Sequence, residues 1–330
     1  MNPIWSPSKD RVQNSEFKRF IDYLTIDSVN DYESLYQYSI DSSDKFWKNI
    51  FSFYNISFEG DLDPAYKDKS FDSYTWFENV RLNFSKNLLK NGRDEDIALV
   101  SRVENGNRST TTYKDLRANV SGLSKSLRPI ISKGDVLACY MPNISQTIEA
   151  MLATTALGGV FTSTSADFGI EGVVDRFGQS RPKVLITVSG YEYNGKYFDL
   201  RERVKKITET IDSIEKVIFV DYLERKDDIS SISNACFYND FFEQSTDDIE
   251  FENVSFSDPL YIMYSSGTTG KPKCIVHSVG GTLLQHVKEL GLHTDLKADK
   301  NIFFFTTCGW MMWNWLVSSL YFGSTVILYE

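Results

Sequence analysis

Positive charge is scarce in this sequence, and that scarcity is the first limit on what it does. Lys and Arg number 35 against 45 Asp and Glu, giving a formal net charge of -10 and a pI of about 5.0. No global positive field favours nucleic acid or an anionic membrane surface. An anionic ligand would have to be met locally, by loop amides and a few lysines. Cysteine is sparse as well: Cys139, Cys236, Cys274 and Cys308 lie far apart with no CxxC pair. That excludes a disulfide framework, makes a zinc site a poor reading and fits a reducing compartment. Only His277, His286 and His293 carry imidazoles, without carboxylates at ligand spacing, so they are read as structural and no metal site is expected. The N-terminal stretch MNPIWSPSKDR has no apolar core of the kind a secretory signal needs, and a cytoplasmic location is the expectation.

Internal repeats and low-complexity tracts are absent too. One charge-free run, 301–329, has the length of a membrane span. Thr306, Thr307, Gly309, Asn314, Ser318 and Gly323 interrupt it. It divides better into a strand NIFFFT, a helix WMMWNWLVSSLYF ended by Gly323, and a strand TVILY.

What the sequence does have is ordinary for a globular protein: 42% hydrophobic and 24% charged residues over 330 positions. The length suggests roughly two domain-sized units. Residues 1–95 are aromatic and helical in period and read as a helical cap. Phe46, Ile50, Phe53 and Tyr54 recur at helix spacing, as do Phe77, Val80, Phe84 and Leu88. From residue 96 to 330, apolar strands such as DVLACYM, KVLITVS and KVIFVDY alternate with amphipathic helices. A hairpin turning at Asn105–Gly106 precedes them. Strands apolar throughout, alternating with helices, indicate an α/β fold with a mostly parallel sheet covered on both faces. The acidic, serine-rich stretch 224–258 is the best linker candidate.

Between the apolar runs LYIMY and CIVHS lies a loop of Ser265, Ser266, Gly267, Thr268, Thr269, Gly270, Lys271, Pro272 and Lys273. Two glycines three apart let successive backbone N–H groups converge on one point, forming a nest for an anion. Four hydroxyls add donors, and Lys271 and Lys273 add charge, so the loop suits a polyphosphate. It is not the nucleotide loop G-x-x-x-x-G-K-[ST], because the glycines are too close and Pro272 follows the lysine. A second stretch, GWMMWN at 309–314, places Trp310, Met311, Met312 and Trp313 beside a glycine. Large apolar side chains with adaptable methionines suit the walls of a small-acid pocket, and equally suit plain core.

The segment YSSGTTGKPK resembles the phosphate loop of the AMP-forming acyl-adenylating enzymes. TTTYKDLRANVSGLSKSL and MLATTALGGVFTST resemble further segments of that family in the same order. WFENVRLNFSKNLL resembles the N-terminal extension of its short-chain acyl-CoA synthetases, and GWMMWN points to the branch acting on acetoacetate. The likeness runs from about residue 30 onward. It implies layered, mostly parallel sheets flanked by helices. It also implies an ATP-dependent ligase that joins acetoacetate to coenzyme A through an acyl adenylate, releasing diphosphate and AMP. Acetate or propionate is the alternative acid, and a non-catalytic nucleotide-binding remnant the alternative role. By the same resemblance, residues 265–271 and Lys273 grip the leaving phosphates, with Thr268 and Lys273 acting in catalysis. Trp310–Trp313 line the acyl pocket, and Asn194 and Lys196 in YEYNGK lie near coenzyme A. The family's Mg²⁺ and AMP ligands and its C-terminal domain match nothing up to Glu330. The 330 residues alone are therefore expected to be inactive, with a separate C-terminal half as a partner.

Overall fold

In the computed structural model, which describes residues 4–67, 74–104, 106–265 and 270–330, the chain opens with helices α1 (Lys9–Gln13), α2 (Glu16–Leu24), α3 (Tyr32–Asp41) and α4 (Ser43–Phe53). Their starts are written in the sequence. Ser15 Oγ accepts from Lys18 N at 3.2 Å. Asp31 Oδ1 accepts from Ser34 N at 2.9 Å, while Ser34 Oγ accepts from Asp31 N at 3.1 Å, a reciprocal cap. Helix α2 buries Phe20, Ile21 and Leu24, and α4 buries Phe46, Ile50 and Phe51; Phe20 meets Phe46 edge-on at 5.8 Å.

The helical spacing of Phe77, Val80, Phe84 and Leu88 does not produce one helix. Only α5 (Phe84–Leu89) forms. Phe77 sits in a turn with φ +48°, and Val80–Leu82 is a strand paired with Glu59–Gly60 on one side and Val254–Ser255 on the other. All four side chains are buried, but the burial alternation Val80 in, Arg81 out, Leu82 in has period two. Asn83 then caps α5 by accepting from Lys86 N at 3.0 Å.

Strands β1 (Ile97–Arg102) and β2 (Arg108–Thr112) form the expected hairpin; Gly106 has φ +90°, and Asn105 lies outside the described residues. Helix α6 (Tyr113–Leu127) buries Leu116, Val120, Leu123 and Leu127. Then come β3 (Val136–Met141), α7 (Ser145–Ala156), β4 (Val160–Ser165), α8 (Ile170–Ser180) and β5 (Val184–Val188). A small hairpin, β6 (Gly190–Tyr193) and β7 (Lys196–Asp199), precedes α9 (Arg201–Thr210), β8 (Lys216–Val220), β9 (Ala235–Phe237) and the short α10 (Tyr238–Phe241). The chain continues through β10 (Pro259–Ser265), β11 (Lys273–Ser278) and α11 (Val279–Lys288). It closes with β12 (Asn301–Phe303), α12 (Met311–Ser318) and β13 (Thr325–Tyr329).

The larger sheet has the order β9-β8-β5-β3-β4-β10-β11, parallel throughout except for the antiparallel pair β10–β11. The smaller sheet runs β12-β13-β1-β2. Helix α7 packs on α6, α5 and strands of both sheets and buries nearly its whole circumference, including Glu149. A carboxylate can be buried there because Asn119 Nδ2 donates to it at 2.9 Å and Tyr238 Oη at 2.8 Å; burial still holds its pKa above the ordinary range. Within 224–258, residues 235–237 form β9, and residues 242–252 run as a strap along this layer. Ser245 N donates to Ala118 O at 3.1 Å and Glu252 N to Ala156 O at 2.8 Å. A Cβ on Gly122 would come within 1.9 Å of Glu243 O, so only glycine lets the strap cross α6 there.

The two apolar runs flanking the polar loop differ in burial. Strand β10 enters the core at Leu260 and Tyr261, whereas β11 is an edge strand with Cys274 exposed and Ile275 and Val276 about half exposed. An edge strand lacks a neighbour on one side, so its apolar residues are not enclosed as their composition suggests. Cys139 and Cys308 are buried. Among the described residues no helix is long and apolar enough to cross a membrane.

His286 is sealed between α11 and α12. Ser318 Oγ lies 3.0 Å from Asn314 O and 2.8 Å from His286 Nδ1, so the imidazole is hydrogen-bonded as well as buried. Burial, with a smaller push from His277, lowers the His286 pKa to about 3. Below the ordinary value near 6.5 the unfolded chain takes up a proton that the folded chain refuses. The stability this group confers is therefore complete above about pH 6.5 and declines as pH falls toward 3. Urea unfolding at pH 7 and pH 5 should show wild type losing about 2 kcal/mol more than His286→Gln. Equal losses would mean the imidazole is not held neutral by burial.

Candidate active site

In an open parallel sheet, loops leaving the carboxyl ends of the strands gather along one edge, where backbone donors and side chains are free to meet a ligand. The polar loop is one of these. Ser265 ends β10 and pairs with Lys273, the first residue of β11. Ser266, Gly267, Thr268 and Thr269, four of the expected phosphate contacts, lie outside the described residues. Gly270 has φ +104°, and space around its α-carbon is open, which fits a residue chosen for backbone curl. Helix α8 holds the returning arm: Gln179 Nε2 donates to Pro272 O at 2.9 Å, and Lys271 Nζ lies 3.4 Å from Asp175 Oδ1 at an exposed position.

The outgoing arm is fixed more firmly. Tyr264 Oη lies 3.0 Å from Thr162 Oγ1 and 2.9 Å from Ser180 Oγ, and burial pushes its pKa to about 12, so it acts as a neutral post. The Arg176 guanidinium packs over the Phe168 ring at 4.6 Å and the Tyr264 ring at 5.9 Å.

The GWMMWN stretch lies above the ends of β3 and β4. Ser163 Oγ donates to Cys308 O at 2.6 Å, and the Cys308 thiol faces Met141 O at 3.2 Å. Trp310 and Met311 are exposed, Met312 is half-buried and Trp313 is fully buried. Trp313 stacks on Phe161 at 6.0 Å and donates Nε1–H to Asn143 Oδ1 at 2.8 Å. It is thus a core anchor. A small crevice between β4, β10 and the start of α12 is lined by Thr162, Ser163, Met263, Cys308, Gly309 and Asn314. The four expected pocket residues are not on its walls; Gly309 and Asn314, which bracket them, are.

Asn194 and Lys196 belong to the β6–β7 hairpin. Asn194 (φ +51°) and Gly195 (φ +69°) are its left-handed turn, a signal that the dipeptide Asn-Gly carries openly. The hairpin leaves the carboxyl end of β5, on the same edge of the sheet as the loop, and Gly195 N donates to Glu104 Oε2 at 3.1 Å.

Sequence reasoning missed Asn143 and Glu330. Asn143 Nδ2 donates to Thr306 O and Tyr329 O, each at 3.2 Å, and its backbone N–H donates to Glu330 Oε2 at 2.5 Å. Burial raises the Glu330 pKa to about 7 against that bond, with Asp167 and Glu104 adding to the rise. In sequence Asn143 is only the second half of a Pro-Asn break; a Glu closing an apolar strand was the available signal for Glu330. Among the described residues no group of His, Cys, Asp and Glu could hold a metal ion.

Comparison with known proteins fits this geometry. The family described as AMP-binding enzyme matches residues 89–330, and the one described as acetyl-coenzyme A synthetase N-terminus matches residues 32–88. An acetoacetyl-CoA synthetase from Danio rerio is 38% identical over 99% of this chain and 50% of its own length. A malonamoyl-CoA synthetase from Penicillium aethiopicum is 37% identical over 92% of this chain and 44% of its own. The solved structure of acetoacetyl-CoA synthetase from Streptomyces lividans matches with a TM-score of 0.94 at 35% identity, covering all of this chain and 51% of that one. The chain spans about half the length of the relatives it matches.

Replacing Trp313 by Phe keeps most of the apolar volume but strands Asn143 Oδ1 without its donor. An unfolding free energy lower by about 1–3 kcal/mol is expected in urea titrations. A change within error would show that this bond does not hold the α12 turn to β3.

Proposed function

This chain belongs to the AMP-binding enzyme family, and from that premise we propose that it carries the phosphate loop and acyl crevice of an ATP-dependent acid–CoA ligase acting on acetoacetate. One observation carries the reading: a single strand, β10, supplies Met263 to the crevice and, two residues later, Ser265 to the root of the loop. Two strand residues span about 7 Å, enough to set a small acid's carboxylate beside a phosphate held by the loop. In this reaction a carboxylate oxygen attacks the α-phosphorus of ATP and diphosphate leaves. The thiol of coenzyme A then attacks the acyl carbon, and AMP leaves.

Charge crowding makes the first step slow, so positioning and neutralising phosphate oxygens is the chief task. Residues 265–271 and Lys273 would hold the β- and γ-phosphates, Thr268 and Thr269 donating hydroxyls and Lys273 a mobile charge. Trp310, Met311 and Met312, between Gly309 and Asn314 in the chain, would form an apolar rim beside the crevice. Asn194 and Lys196, on the hairpin after β5, would lie near coenzyme A. Mg²⁺, which this family uses with ATP, finds no protein ligand cluster among the described residues. The acetoacetyl and malonamoyl groups of the named relatives share a second carbonyl, β to the reacting carboxyl. Unpaired thiols, Cys274 among them exposed, suit a reducing cytoplasm.

Turnover is proposed for this chain together with a counterpart of the relatives' remaining length. Combined with that segment from the Danio rerio relative, the chain should release diphosphate when given acetoacetate and ATP, and the 330 residues alone should not. Lys273→Ala and Thr268→Ala should slow adenylate formation by about tenfold or more. Unchanged diphosphate release in both variants would remove the loop from the mechanism. Met312→Ala should shift relative kcat/KM from acetoacetate toward hexanoate, on the order of 1–3 kcal/mol per methylene accommodated. A fixed ranking of acetate, acetoacetate and hexanoate would make Met312 core.

A further inference from the structure

We infer that Asn314 is a specificity-determining residue that reads the second carbonyl of the acid, its side-chain amide donating to the 3-oxo oxygen of acetoacetate or the amide oxygen of malonamate. The inference rests on the ligase reading above and names the group that distinguishes such acids from simple fatty acids.

The argument begins with an unmet hydrogen-bonding need. Asn314 is 3% exposed. Its Oδ1 has no hydrogen-bond partner among the described residues, and its Nδ2 faces only the Met263 thioether at 3.8 Å, a weak acceptor. Leaving a buried amide in this state costs about 1–3 kcal/mol, which an apolar residue of similar size would avoid. The neighbouring polar groups are engaged. Thr162 Oγ1 donates to Ile262 O at 2.8 Å, and Ser163 Oγ donates to Cys308 O. Tyr261 also lines the crevice, and its hydroxyl, likewise without a full hydrogen bond, lies beside Thr282. The Asn314 Nδ2, with only a thioether beside it, is therefore the donor on the crevice wall with capacity to spare for an acceptor that enters.

Position selects what that something is. Met263, the thioether beside Nδ2, stands two residues before Ser265 on one face of β10. The crevice as it stands has room for about one water, so a ligand with its carboxylate at the loop would have to widen it to bring its far end along the strand toward Asn314. An acid with a carbonyl one methylene beyond the carboxyl brings an acceptor to the amide. Butyrate, which has a methylene there, would bury the same amide with nothing to bond. A site built to pair with an oxygen discriminates against an analogue that lacks it far more strongly than an apolar wall discriminates by size.

The test uses the 330-residue chain labelled with ¹⁵N, titrated with acetoacetate and separately with butyrate. The side-chain amide signals of Asn314 are identified by their absence in Asn314→Leu. Acetoacetate should move those signals and butyrate should not. Asn314→Leu should weaken acetoacetate binding about tenfold or more while leaving butyrate within about twofold. Should Asn314→Leu fail to fold, Asn314→Asp keeps the size, removes the donor and should show the same selective loss. Equal movement with both acids, or equal weakening of both in the variants, overturns the inference. Acetoacetate shifting backbone signals of Met263 and Gly309 but not the Asn314 amide leaves the ligase reading standing and ends this one. No shift with either acid sinks both. Binding to Asn314 without diphosphate release in the combined enzyme ends the ligase reading alone.

Discussion

Two sheets that share no strand need a rigid joint if loops from both are to meet, and the side chain of Asn143 provides one. It is 2% exposed, and its carboxamide has both ends engaged: Nδ2 donates to Thr306 and Tyr329, and Oδ1 accepts from Trp313. One partner closes the smaller sheet, one lies on the segment leaving its edge strand, and one anchors the helix beside the crevice. A buried amide satisfied at both ends fixes direction as well as distance, which apolar packing alone does not. The crevice wall contributed by Gly309 and Asn314 keeps its place against β4 and β10 through that joint.

Around the joint the protein tolerates a good deal of buried polarity by pairing it. Glu149 receives two donors and His286 is hydrogen-bonded to the Ser318 hydroxyl. Asn83 Nδ2 reaches three carbonyls, at Thr155, Ala156 and Glu252, and so ties α5 to the end of α7 and to the strap along it. Each is expensive to bury and inexpensive once matched. The loosely bonded amide of Asn314 belongs with the few buried polar groups among the described residues that lack a full match.

The parallel sheet was legible in the sequence because its strands are apolar on both faces, and β3, β4 and β5 are buried along nearly their whole lengths. The loop was legible because Gly, Thr and Lys between two strands have few other uses. The spacing of Phe77 to Leu88 misled because steps of three and four satisfy a helix, while pairing with Glu59–Gly60 and Val254–Ser255 depends on residues distant in the chain. The exposure of β11 depends on its place at the sheet edge, which composition does not encode. Asn143 and Asn314 illustrate the deepest limit. The same amide is saturated in one place and nearly idle in the other, and only tertiary neighbours decide which.

The two stems of the polar loop are unequal, and that inequality has a mechanical meaning. The β10 stem is pinned by Tyr264 between two hydroxyls and lies against β4, whereas the β11 stem is an exposed edge paired only with β10 and reached by an amide bond from Gln179. Backbone hydrogen bonds on an exposed edge open at lower free energy than those inside a sheet. The Lys273 side is therefore the softer of the two stems. The structure has, in effect, a fixed jaw and a compliant one, and the compliant jaw carries Lys273.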